Sequence, residues 1–155
     1  MNKIGLGLDF SNICQDYNTA FLDRDNDDPA TVACMRKVLK WFDAFLSDLQ
    51  ADFDYKIYRM NQNNPLALKE IVQNRFFFYS LEKEMIMQTF VMQKKAVSYN
   101  SLEHWAKEAK DSLLIQNDDE GEGVYFYVEK DSNIHQWLLD KLADLSLDEI
   151  PFPEV

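Results

Sequence analysis

From Asp28 to Leu49 the chain places Val32, Met35, Leu39, Phe42, Leu46 and Leu49 at alternating steps of three and four, which keeps them on one stripe of an α-helix. No other stretch is as regular, so this helix is the element against which the rest of the chain must pack. Asp28 suits the N-cap, where a side-chain oxygen can accept from orphan amides, and Pro29 suits the first helical position, where no amide donor is needed. Val38, Trp41 and Phe45 widen the apolar stripe beyond a two-stranded coiled-coil seam. The helix therefore reads as a core element, with Met35, Leu39, Phe42 and Leu46 expected in one buried cluster.

Shorter signals surround it. Lys3–Phe10 reads as a buried strand in which Gly5 and Gly7 mark a close backbone approach. Phe53–Met60 alternates like a strand, and Asn64 with Pro65 repeats the cap signature ahead of a helix to about Asn74. Between Arg75 and Lys95 the apolar runs FFFY and MIMQTFVM suit either buried strand or buried helix, and Ser80 with the flanking charges favours a helix from Leu81. Asn100 or Ser101 opens a further helix with Glu103 and Lys107 one turn apart. LLIQ and VYFYV flank the acidic run NDDEGEG as a β-hairpin, and a last helix presents Ile134, Leu138, Leu142 and Leu145 on one face. These elements predict an α+β fold: a helix-rich single domain with a small sheet and a C-terminal β-hairpin followed by a helix. The domain spans residues 1–150, with 151–155 as an extended tail.

The formal charge of -11 is one-sided. Residues 1–96 carry 13 acidic and 12 basic side chains, whereas residues 97–155 carry 14 acidic and 4 basic. A field of that sign repels nucleic acid and anionic membranes and steers positively charged partners. No apolar run approaches the length of a membrane span, and two isolated cysteines, Cys14 and Cys34, fit a reducing compartment, so a cytoplasmic protein is expected.

Motifs for chemistry are sparse. Asp23, Asp25, Asp27 and Asp28 form a carboxylate run, but a calcium loop would need glycine where Asp28 stands and a bidentate glutamate where Cys34 stands. Asp9, at the end of the first strand with Asn12 nearby, is the best-placed group for holding a divalent ion against a phosphate, yet no second strand-ending carboxylate accompanies it. The G-x-G of IGLGLDF lacks the third glycine of a dinucleotide fingerprint. His104 and His135 stand apart from each other, with Asp131 one helical turn before His135. No metal site and no cofactor are expected.

The charge distribution thus points to a non-enzymatic binding protein, a monomer or weak dimer, whose partner is a basic protein. An immunity protein or inhibitor that covers a nucleic-acid-cleaving toxin has these needs. The expected partner surface is the hairpin tip and last helix: Asp118, Asp119, Glu120 and Glu122, then Asp140 and Asp144 one turn apart, with Tyr125 and Tyr127 as aromatic anchors on one strand face. A small metal-dependent phosphodiesterase or nuclease built on Asp9 is the alternative, and a DNA-mimic regulator a further one.

Overall fold

The structure, a computed structural model, describes residues 2–15, 29–72, 89–117 and 123–152. Its centre is a six-stranded antiparallel sheet in the order β2-β3-β4-β5-β1-β6. The strands are β1 (Lys3–Asp9), β2 (Lys56–Arg59), β3 (Thr89–Gln93), β4 (Ser112–Asn117), β5 (Gly123–Glu129) and β6 (Leu147–Pro151). Four α-helices accompany them among the described residues: α1 (Pro29–Phe53), α2 (Leu68–Val72), α3 (Leu102–Glu108) and α4 (Asn133–Lys141). The fold is a mixed α+β one, but the expectation of a helix-rich domain with a small sheet is overturned. The pair β4 and β5 is no appendage: it occupies the middle of the sheet, with β3 on one flank and β1 on the other.

The sheet outgrew its sequence signals because both of its faces are covered. One face meets α1 and α4 in a core that includes Leu6, Leu8, Phe42, Phe126, Ile115 and Leu138. The other carries a second cluster of Val91, Leu114, Tyr127, Trp105, Tyr99 and Ala106 under α3. A strand buried on both faces has no polar side to alternate with, so it reads as a continuous apolar run. Phe90, Val91 and Met92 are such a run, all buried. The helix expected from Leu81 onward is accordingly replaced by strand at 89–93, while residues 73–88 lie outside the described residues.

Helix α1 runs one turn beyond the stripe that announced it. Phe42, Leu46 and Leu49 are buried, yet Met35 and Leu39 are only half-buried against the core, and Cys34, Val38 and Phe45 take the central line instead. The buried face is thus rotated towards the aromatic flank, where Phe45 packs on Phe126 with ring centroids 5.3 Å apart. The proposed cap Asp28 lies outside the described residues. Helix α2 begins three residues later than Pro65: Leu66 first bridges to Ile57, and Glu70 reaches back to accept from the Ala67 amide at 2.6 Å. Ahead of the expected tail, β6 pairs with β1 along its length as an edge strand, and of residues 151–155 only Pro151 belongs to it while 153–155 lie outside the described residues. The pairing explains Gly5, where a Cβ would lie 2.5 Å from Ile150 and 2.7 Å from Tyr127.

Cys14 and Cys34 are bonded to one another, with their Cα atoms 5.8 Å apart. The reading of two isolated thiols is corrected accordingly. The bond ties the segment after β1 to the first half of α1 across a sequence separation of 20.

The two histidines perform the same task at two helix starts. Ser101 and Ser132 are the N-caps of α3 and α4, and each hydroxyl accepts from the amide of the histidine three residues on. Each imidazole reaches back in turn: His104 Nδ1 accepts from the Asn100 amide at 3.0 Å and His135 Nδ1 from the Asp131 amide at 2.9 Å. The arrangement is a variant of the capping box, with histidine in the glutamate position and the amide before the cap, not the cap's own, as its donor. The Asp131–His135 relation is therefore a backbone contact, made by the aspartate's amide. A ring that accepts at Nδ1 carries its proton on Nε2. We expect His104→Ala and His135→Ala each to cost about 0.5 to 2 kcal/mol in denaturant unfolding, and His→Glu at the same positions to recover most of it. Nitrogen chemical shifts showing the Nδ1–H tautomer at either ring would contradict this assignment.

Candidate functional site

The expected partner surface divides into parts with different fates. Asp118, Asp119, Glu120 and Glu122 lie outside the described residues; their flanking residues Asn117 and Gly123 stand at one end of the sheet, where Gly123 pairs with Asp9. Tyr125 is half-buried, its ring beside Gly7, and Tyr127 is 3% exposed, with the Phe152 ring edge-on at 5.3 Å. Burial also pushes the Tyr127 phenol above its usual pKa. Tyr127 therefore belongs to the interior, and Tyr125 alone of the pair has a partly open ring.

Asp140 and Asp144 are both exposed. They do not share a helix, because α4 ends at Lys141 and Leu142 begins a series of turns. Leu142 remains in the core and Leu145 packs at its margin, so the apolar spacing continued past the helix that it suggested. Asp140 accepts from the Gln136 amide group at 2.9 Å.

Beyond these residues the structure adds carboxylates that the sequence reading left aside. After the Asp144 turn, β6 presents Asp148 and Glu149, both exposed and, as consecutive strand residues, directed to opposite faces of the sheet at its edge. From the neighbouring helix, α1 contributes Asp43, Asp48 and Asp52, also exposed. The last turn of α1 holds no basic residue, although a helix C-terminus favours cations. Asp52 instead accepts from the Trp137 indole N–H at 2.7 Å, and Asp48 pairs with Lys141 at 2.7 Å. These two contacts fasten α4 to α1, and the second engages the one cation between Asp140 and Glu149.

Asp9 does end a strand, but its side chain has a local task. Its Oδ1 accepts from the Ser11 amide at 2.8 Å and caps the 3-10 turn Phe10–Asn12. Asn12 donates to the Asp9 carbonyl at 2.9 Å and accepts from the Ser146 amide at 3.2 Å, joining the end of β1 to the approach of β6. A small cavity of about 160 Å³ opens there, lined by Asp9, Asp148, Tyr125 and Gly7 among others. Among the described residues no group of three or more His, Cys, Asp or Glu side chains converges as a metal site. The run Asp23 to Asp28 lies outside them.

No helix among the described residues is long and apolar enough to cross a membrane. No protein-family model, curated protein or solved structure matches the chain.

Proposed function

We propose that this protein is a non-enzymatic binder of a positively charged protein partner, which it engages through the acidic surface running from α4 to β6. The observation that carries this reading is the segment 140–149, in which Asp140, Asp144, Asp148 and Glu149 are exposed while its single amine, on Lys141, is paired with Asp48. Exposed carboxylates of one sign act chiefly by raising the rate of encounter with a basic surface and by rejecting acidic ones. An inhibitor that covers a nucleic-acid-binding enzyme, such as a toxin, requires this property, because the enzyme's own surface is selected to bind phosphates. The bonded cysteines support an encounter in an oxidising compartment, in place of the cytoplasm that two isolated thiols suggested.

Affinity capture with the wild-type chain and with a variant carrying Asp140→Asn, Asp144→Asn, Asp148→Asn and Glu149→Gln tests the proposal. Circular dichroism and a thermal melt establish that the variant folds. We expect wild type to retain a basic protein at about 50 mM salt and release it near 300 mM, where the Debye length has shortened to a few ångströms, and the variant to retain far less already at the lower salt. A partner held equally well by the variant, or one that is itself strongly acidic, would sink the reading.

A further inference from the structure

Beside α3 this acidic chain carries a concavity lined by lysines. Antiparallel pairing of Gln93 with Ser112 brings Lys94 and Lys95, which follow β3, next to Lys110 and Asp111, which precede β4. Together with Val97, Tyr99, His104 and Glu108 they line a groove of about 620 Å³. Its charged lining consists of three ammonium groups against two carboxylates, on a chain of formal charge -11. None of the three lysines has an ion-pair partner among the described residues. Lys107, one turn along α3, is by contrast paired with Glu103 at 2.8 Å.

The wall carrying Lys94 and Lys95 is held in place from within. Gln93 is 4% exposed, and its amide nitrogen donates to the carbonyls of Lys95 at 2.9 Å and Val97 at 3.1 Å, while its oxygen accepts from the Tyr99 hydroxyl at 3.0 Å. A buried amide with its donors and acceptor so engaged fixes the course of residues 94–99. On the other wall, Asp111 accepts from the Tyr55 hydroxyl at 2.6 Å. Burial first, and then this carboxylate, raise the Tyr55 pKa, so Tyr55 keeps its proton as the donor. His104, whose Nδ1 takes the Asn100 amide, brings an Nε2–H donor to the lining.

We propose that this groove binds a small phosphate-bearing molecule of about nucleotide size, with its phosphate on Lys94, Lys95 and Lys110. Compact ammonium groups on a fixed loop suit a multiply charged phosphate. The volume exceeds what a bare phosphate fills and falls within the ~300 to 1,000 Å³ of small-molecule sites. Val97, 44% exposed and one of two large hydrophobic side chains so exposed among the described residues, offers an apolar contact beside the Tyr99 and His104 rings, whose centroids are 5.4 Å apart. Glu108 supplies an acceptor for hydroxyl groups on the ligand.

Amide chemical-shift titration of the full chain with pyrophosphate, AMP and adenosine tests this, alongside a variant carrying Lys94→Gln, Lys95→Gln and Lys110→Gln. Saturable shifts confined to residues 93–111 are expected with pyrophosphate or AMP, not with adenosine, and the variant should bind about tenfold more weakly or worse. The spectrum of the variant reports its fold directly; should the triple change disturb it, the single substitutions carry the same comparison. Absence of saturable shifts with both anions up to about 10 mM, shifts centred elsewhere, or undiminished binding by the folded variants would overturn the assignment.

Discussion

Phe42→Ala is expected to lower the free energy of unfolding by about 3 to 5 kcal/mol, and Leu39→Ala by clearly less. Phe42 is wholly buried on α1, with the Trp41 ring centroid at 6.1 Å and that of Phe45 at 6.4 Å, whereas Leu39 touches the core from a half-buried position. Removing the ring deletes its transfer free energy and leaves a void between helix and sheet that neighbours fill only in part. Urea unfolding of the two variants separates the observed helix rotation from the one that the sequence stripe suggests, because a stripe centred on Leu39 would make the two losses similar.

Breaking the Cys14–Cys34 bond is expected to cost about 3 kcal/mol, the loop-closure entropy that a cross-link of this span withholds from the unfolded chain. The folded state changes little in this view; the unfolded ensemble gains freedom. Denaturant midpoints with and without reductant, and for a Cys14→Ala, Cys34→Ala double variant, should fall together. Midpoints insensitive to reductant, with two titratable thiols in the native protein, would contradict the bond.

Elements with a chemical boundary were legible in the sequence, and those defined only by their neighbours were not. Clusters of capping residues, Asn100 with Ser101 and Asp131 to Asn133, mark two helix starts to within a residue, with Ser101 and Ser132 as the caps formed, and the polar run between LLIQ and VYFYV marks a strand pair. β3 carried no such mark, since Phe90, Val91 and Met92 face covered surfaces in both directions. β6 was hidden for the opposite reason: LDEIP is acidic, short and contains proline, features tolerated at an edge strand that needs only one ladder, here with β1. Missing β6 left Asp148 and Glu149 out of the surface expected from the sequence. The lysine groove had no sequence signal at all, because Lys95 and Lys110 meet only once β3 and β4 are known to pair. Asp140 and Asp144 are both exposed, but the common helix face that their spacing suggests dissolves where α4 stops at Lys141.

The charge complementarity proposed for the α4 to β6 surface has a specific kinetic signature. Long-range attraction accelerates encounter and is screened by salt, while short-range contacts govern dissociation. The most direct measurement is therefore the association rate constant of the captured partner with wild type and with the Asp140, Asp144, Asp148 and Glu149 neutralised variant, at about 50 and 300 mM salt. Fast, steeply salt-dependent association is expected for wild type, slower and flatter association for the variant, and dissociation rates that differ less. Equal association rates at low salt would contradict it.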